Sequence, residues 1–377
     1  MLKPLLLLIL CSSTIIAPAQ TDIEWYNNGL NAKSEKKYEE ATELFKKAVG
    51  VNKKMYEAWF QLGWCYNETK NYSSAIQALN QAMPATGFQD NIYYELGYAY
   101  DRLDSIQPAI TAFKKAININ NKYAIAYRDL ANIYFDVLYK YDEALTLYKA
   151  FFANAQNTQI NEQHYYNAGY CANNTQQYTE AITFLNKALV MDKIFIRAYN
   201  ELGYAYFSLA DYPKAVEMYT MSHELDSKQA TPLKGIADVY KRLKDPEKAL
   251  GFYEKAIALN PQLSGALFGA GWCYNDKNDY DKAIACLLKA KEINADFPDV
   301  YTELGYAYYF KEDINNALAN FLKSISFNES YFIDFYYAGL CYSKLNNKEK
   351  AQEMYNRLIL LNKDYADKLK TAIDKNK

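Results

Sequence analysis

The sequence predicts an all-α chain of tandem helical hairpins, and three observations carry the prediction. A small residue recurs at Gly29, Gly63, Gly97, Ala131, Gly169, Gly203, Ala237, Gly271, Gly305 and Gly339; every step is 34 residues except the 38 from Ala131 to Gly169. Twelve residues after each comes an alanine, from Ala41 and Ala75 through Ala215 to Ala351, displaced by one only at Ala144. Inside a unit the apolar spacing is helical. Around Gly203, the residues Tyr199, Leu202 and Tyr206 share one face of a first helix, and Ala215, Tyr219 and Ser222 share one face of a second. Composition agrees, since 38 tyrosines beside only 14 glycines and 9 prolines favour long regular elements with many aromatic contacts.

Taken in order, residues 1–19 read as a secretory signal peptide: Lys3, an apolar run from Leu5 to Leu10, then Ala17-Pro18-Ala19 before a mature start at Gln20. The localisation expected is export to the periplasm or beyond. Lipid attachment through Cys11 is the less favoured form, because Leu10 stands where a small residue is wanted. Residues 20–363 then divide into ten units, at about 22–55, 56–89, 90–123, 124–161, 162–195, 196–229, 230–263, 264–297, 298–331 and 332–363. Between paired helices lies a turn such as Ala210-Asp211-Tyr212-Pro213, in which Asp211 can cap the second helix and Pro213 is tolerated in its first turn. Gly at the first small position and Ala at the second let the paired helices approach closely. Residues 364–377 read as a charged capping helix with Tyr365, Ala366, Leu369 and Ala372 on one face.

A longer period contains the short one. ELGYAY is spelled at 95–100, 201–206 and 303–308; GWCYN, GYCAN and GWCYN stand one unit before each; DLANIY and GIADVY mark units four and seven. A triplet of three units has been reused. The fourth unit is irregular, with one extra residue around Val137 to Tyr141 and three more in Ala153 to Gln163. It reads as a bend or an exposed contact loop.

These units resemble the tetratricopeptide repeat family: an aromatic or Leu, then Leu-Gly, then Tyr, then Ala, an aromatic and Ala, with Pro261 closing the seventh unit. The resemblance covers about residues 22–365 and implies a right-handed superhelical solenoid of helix-turn-helix hairpins with a C-terminal capping helix. It also implies a concave groove lined by the first helices. On that orientation the residue after the small position faces the groove, giving Trp64, Tyr98, Asn132, Tyr170, Tyr204, Trp272 and Tyr306. Four earlier stand Phe60, Tyr94, Arg128, Tyr166, Asn200 and Phe268; three later stand Asn67, Asn173 and Asn275. Such a ladder suits an extended peptide, with rings covering apolar side chains and amides pairing with the peptide backbone. The expected function is a protein or peptide interaction scaffold. Alternatives are a carbohydrate-binding solenoid stacking rings on sugars and a structural spacer without a groove ligand. Arg128 and Asn132 imitate half of the family's carboxylate clamp, but Tyr170, Lys234 and Asp238 do not complete it.

Other classes find little support. A net charge of −2 and a pI near 5.9, with no outstanding cluster of Lys and Arg, argue against nucleic acid. No cofactor is expected, and no stretch after the signal peptide is long and apolar enough to cross a bilayer. The two histidines, His164 and His223, are isolated and no close Cys pair exists, so zinc is not expected. Cys65, Cys171, Cys273 and Cys341 recur two places after the small residue and read as small buried apolar groups; Cys273 and Cys286 share one hairpin and are the single pair worth checking for a disulfide. GxSxG, a Gly-rich phosphate loop and HExxH are all missing, so an enzyme is not expected.

Overall fold

The computed structural model describes residues 21–375, so the signal-peptide reading of residues 1–19, Cys11 within it, and residues 376–377 lie outside the described part. Helices come in antiparallel pairs. The first four pairs are α1 (Asp22–Ser34) with α2 (Tyr38–Val51), α3 (Tyr56–Glu68) with α4 (Tyr72–Ala82), α5 (Gln89–Arg102) with α6 (Ile106–Ile119), and α7 (Ala124–Asn132) with α8 (Tyr141–Asn154). Three pairs follow: α9 (Glu162–Asn174) with α10 (Tyr178–Met191), α11 (Ile196–Ser208) with α12 (Tyr212–Leu225), and α13 (Thr231–Arg242) with α14 (Pro246–Leu259). The last are α15 (Ser264–Asp276) with α16 (Tyr280–Ile293), α17 (Pro298–Phe310) with α18 (Ile314–Phe327), and α19 (Phe332–Lys344) with α20 (Lys348–Leu361). A final helix, α21 (Lys363–Lys375), packs on α19 and α20. The fold is all-α, and the helices fall into two compact units, one ending at Ile160 and one beginning at Asn161.

The small residues act where the sequence places them. A Cβ added at Gly63, Gly169 or Gly271 would meet Leu79, Leu185 or Leu287, and one at Gly97, Gly203 or Gly305 would meet Phe113, Tyr219 or Phe321, all at 2.7 Å or less. The triplet is therefore also a packing code: leucine in one class and an aromatic ring in the next. In units four and seven, Ala takes the place of Gly and the facing residue is a fully buried tyrosine. The Tyr148 hydroxyl donates to Asn132 Oδ1 at 2.7 Å and that of Tyr253 to Asp238 Oδ1 at 2.5 Å.

Each hairpin turn holds one residue in the left-handed region, seven places after the small residue and eight in the fourth unit, with φ of 53° to 63° and no glycine among them. The following N–H then reaches back into the first helix, as Asp211 does to the Tyr206 carbonyl at 2.9 Å. Asp211, Asp245, Asp279 and Asp313 cap the second helices, accepting from the backbone N–H three residues on. In the fourth unit the extra residue does not lengthen the turn. It is absorbed as a π-helical stretch, Ile133–Val137, where the Leu138 N–H reaches the Ile133 carbonyl at 3.1 Å. Tyr139 then carries the positive φ of 53° with 68% of its surface exposed. A bulky residue there has little packing to offset the backbone cost. Tyr139→Gly is expected to raise stability by about 0.5–1 kcal/mol in urea denaturation; an unchanged or lower midpoint would mean that the ring contributes packing the fold depends on.

Cys65, Cys171, Cys273 and Cys341 are buried, and burial pushes the Cys65, Cys273 and Cys341 thiols up to about 12. Cys273 and Cys286 are separate thiols. At the C-terminus Leu369 of α21 lies against Gly339, and Tyr365 packs on Phe332 and Tyr336 with ring centroids 5.0 and 5.2 Å apart.

Candidate functional site

The first helices carry the candidate surface, and its three expected rows separate. The row four residues before the groove position is packed between successive hairpins. Phe60 meets Phe88, Tyr94 meets Tyr123, Tyr166 meets Phe195 and Phe268 meets Phe297, with centroids 5.2, 5.2, 5.3 and 4.7 Å apart. The partner ring in each case sits just before the next first helix, so these four rings join neighbouring hairpins, with Tyr166 buried and the other three half-buried. Burial and Asp129, whose Oδ2 accepts the Tyr94 hydroxyl at 2.9 Å, push the Tyr94 phenol upward.

The asparagine row is the larger correction. Asn67, Asn173 and Asn275 are buried, and none of their amides is presented to a ligand. Each Nδ2 donates to one glutamate of the next hairpin, 28 residues on: to the backbone carbonyl and Oε2 of Glu95 at 3.1 and 2.7 Å, of Glu201 at 3.0 and 2.8 Å, and of Glu303 at 3.0 and 2.7 Å. These glutamates open the three ELGYAY segments. The reason is rotational: four residues after the small position, a first helix faces the next first helix two residues before its own small position. Other pairs of the same offset obey the rule. Lys33 Nζ donates to Gln61 Oε1 at 2.6 Å, and Tyr309 packs on Tyr337 at 5.2 Å. Burial raises the Glu95 carboxyl to about 7 and that of Glu303 to about 6, against the Asn hydrogen bonds that favour ionisation; Glu201 is raised for the same reason.

Of the polar rungs, Arg128 is held by its neighbour, Nε to Asp129 Oδ1 at 2.7 Å. Asn132 Oδ1 is taken by Tyr148, and Asn200 Nδ2 lies 3.5 Å from Gln229 Oε1. What stays open is the row directly after the small residue. Among residues 21–160 it comprises Trp64 and Tyr98; among residues 161–375 it comprises Tyr170, Tyr204, Trp272 and Tyr306, all partly or well exposed. Side chains of the preceding unit brace Trp64, Tyr98 and Tyr204, and a side chain of its own unit braces Tyr306. Tyr38 stands edge-on to Trp64 at 5.5 Å with Lys33 Nζ 3.6 Å from the ring; Tyr72 and Tyr178 support Tyr98 and Tyr204 at 6.2 Å; Phe310 lies 4.6 Å from Tyr306. Sequence reasoning missed Glu95, Glu201, Glu303, Lys33 and Lys241. The signal for the glutamates was present, since every GxCxN segment is followed 28 residues after its Asn by the Glu of ELGYAY.

Among the described residues no group of three His, Cys, Asp or Glu side chains is arranged to hold a metal ion, and no helix is long and apolar enough to cross a membrane. Comparison with protein families finds models described as tetratricopeptide repeat at residues 32–96, 90–123, 137–193, 195–262, 252–285, 298–331 and 335–364, and one described as TPR repeat at 273–311. No curated protein matches the chain. Among solved structures, that of the APC/C hetero-tetramer Cut9–Hcn1 is similar over 93% of this chain and 96% of its own, with 12% identity and a TM-score of 0.51. Pseudomonas aeruginosa PilF is similar over 56% of this chain and 96% of its own, with 17% identity and a TM-score of 0.52. At such identities the likeness is one of fold.

Proposed function

Because the chain belongs to the tetratricopeptide repeat family, we propose that it is a non-enzymatic scaffold whose first-helix face holds an extended segment of another protein. One observation carries the reading: beside a buried asparagine row runs a row of rings that stay half-buried at Trp64, Tyr98, Tyr170, Trp272 and Tyr306 and exposed at Tyr204, which keeps 45% of its surface open. Apolar surface left open in a repeated pattern marks an interaction face, and tyrosine and tryptophan supply contact area at low entropic cost. Neighbouring rings pack against Trp64, Tyr98, Tyr204 and Tyr306, so little ordering of these four remains to be done on binding. The signal-like residues 1–19 support a place in the bacterial cell envelope, periplasmic or secreted.

The test is photo-crosslinking in the native envelope, with a reactive residue replacing Tyr204 and a control replacing the turn residue Asp211. A protein adduct confined to the Tyr204 position is the expected result. Folded, exported protein that yields no protein adduct there overturns the reading, and an adduct abolished by added oligosaccharide transfers the surface to the glycan alternative.

A further inference from the structure

The 28-residue contact between successive first helices leaves one lysine without its acceptor. Lys241 is the counterpart of Lys33, 208 residues on, and Trp272 is the counterpart of Trp64 by the same offset. Lys33 Nζ lies over the Trp64 ring and donates to Gln61 Oε1 at 2.6 Å. Lys241 Nζ lies likewise over Trp272, 4.7 Å from the ring centre, and 4.8 Å from that of Phe268. The counterpart of Gln61, however, is Gly269. Its missing side chain is required by Tyr253, whose Cζ would lie 2.2 Å from a Cβ at that position. Among the described residues no hydrogen bond or ion pair receives the Lys241 ammonium, and burial lowers its pKa even though Glu303 and Asp238 act on it through space.

The ammonium borders a recess of about 440 Å³ between α11, α13 and α15, lined by Phe207, Asp238, Lys241, Arg242, Lys244 and Trp272. Three of these six are cations. The one carboxylate is already engaged: Asp238 Oδ2 lies 2.7 Å from Lys234 Nζ, and Oδ1 accepts the Tyr253 hydroxyl at 2.5 Å. A half-buried ammonium with no acceptor among the described residues favours an oxygen ligand, and the cations beside it on the same rim favour one that carries negative charge. Trp272 and Phe207 supply flat apolar walls on either side, which a free inorganic anion would not use and an apolar residue beside an acidic one would.

We propose that Lys241 and Arg242 form a recognition site for a carboxylate side chain of a bound polypeptide, with Trp272 and Phe207 covering the residue next to it. The site rests on the peptide-binding reading above and names the chemistry of the segment bound. It differs from a clamp built on Lys and Asn four residues apart, because Lys234 and Asp238 are spent on each other.

The experiment uses the full mature chain and two fluorescein-labelled, end-capped peptides of alternating Phe and Glu, or Phe and Gln, read by polarisation. The Glu peptide is expected to bind about tenfold more tightly than the Gln peptide, with the advantage shrinking as salt rises. Lys241→Gln should remove most of that advantage, Arg242→Gln should reduce it about threefold, and Lys33→Gln should leave it intact. Arg242 is exposed, so that variant keeps the test alive even if Lys241→Gln folds poorly. Equal binding of the two peptides overturns the carboxylate site and leaves the aromatic face standing. A Glu advantage that survives both substitutions places the charge recognition elsewhere and also overturns it, as does an oligothymidylate that binds more tightly than the Glu peptide. Neither peptide binding, beside a Tyr204 protein adduct in the envelope, removes the acidic specificity alone; failure of both removes the peptide reading as well.

Discussion

Gly203→Leu is expected to destabilise residues 161–375 by about 3 kcal/mol or more. A Cβ at this position would lie 2.6 Å from Tyr219 Cδ1 and Cε1, and the ring cannot retreat, because a Cβ at Gly235 of the next hairpin would already lie 2.5 Å from its Cζ. Tyr219 is thus pinned between two first helices and is only 7% exposed. Overpacking at Gly203 must therefore be passed to both hairpins. Gly203→Ala separates packing from propensity. Alanine favours a helix interior over glycine by about 1 kcal/mol, yet at this site the contact outweighs the gain and the variant should still lose stability. Gly251→Ala is the matched control, since nothing lies within 4 Å of its Cβ position, and it should gain about that amount. Combining Gly203→Leu with Tyr219→Ala should recover part of the loss, and a double-mutant cycle in urea would measure it. Equal melting curves for Gly203→Leu and the unaltered protein would place the helix contact elsewhere than the repeat register puts it.

That register was legible because it depends on local facts that repeat. The small residue, the alanine twelve places later and the helical spacing of the rings are each set within one hairpin, and ten copies average out the exceptions. The candidate surface was less legible. Helical spacing places Phe60, Trp64 and Asn67 on neighbouring lines of one helix, but it does not say how far that helix is rotated toward the next. The rotation sends Asn67 into Glu95 and Phe60 onto Phe88, leaving Trp64 open. The π-helical stretch at Ile133–Val137 was hidden for a related reason: an insertion can be counted in sequence, yet the backbone decides whether turn or helix absorbs it. Lys241, Arg242 and Lys244 look like ordinary surface cations until Gly269 is seen to withhold the acceptor that Gln61 gives Lys33. What the sequence did contain, unread, was the pairing of Asn and Glu 28 residues apart in three successive triplets. It explains why the triplet was reused as a whole, since either partner copied alone would be left buried without its mate.

The same pairs make stability fall as pH rises through the near-neutral range. Burial holds the Glu95 carboxyl at about 7, and those of Glu303 and Asp334 at about 6, against ordinary values of 4.5 and 3.8. Between the unfolded and folded values the native state keeps protons that the unfolded chain has released, so ΔG of unfolding declines with pH. The effect begins near pH 4, where the unfolded chain starts to ionise, and levels off above about pH 7, where Glu95 has ionised in the folded state as well. For Glu95 alone the difference corresponds to about 3 kcal/mol. Surface carboxylates paired with lysines, such as Asp211, Asp245 and Asp279, are shifted down and act in the opposite sense, but only below the ordinary Asp value of 3.8. Urea midpoints should therefore be highest near pH 4 to 5 and lower at pH 8. Glu95→Gln should raise the midpoint at pH 8 and flatten its pH dependence. The amide removes the buried charge, keeps an acceptor for Asn67 Nδ2 and offers a donor to Asn67 Oδ1, which no described group reaches. Asn67→Leu should do the reverse at pH 8, leaving the Glu95 carboxylate buried without its donor and costing about 1–3 kcal/mol. A midpoint that climbs from pH 5 to pH 8, or a Glu95→Gln variant less stable at pH 8 than the unaltered chain, would show that these carboxylates are ionised and well solvated in the folded protein and that the Asn contact is a surface one.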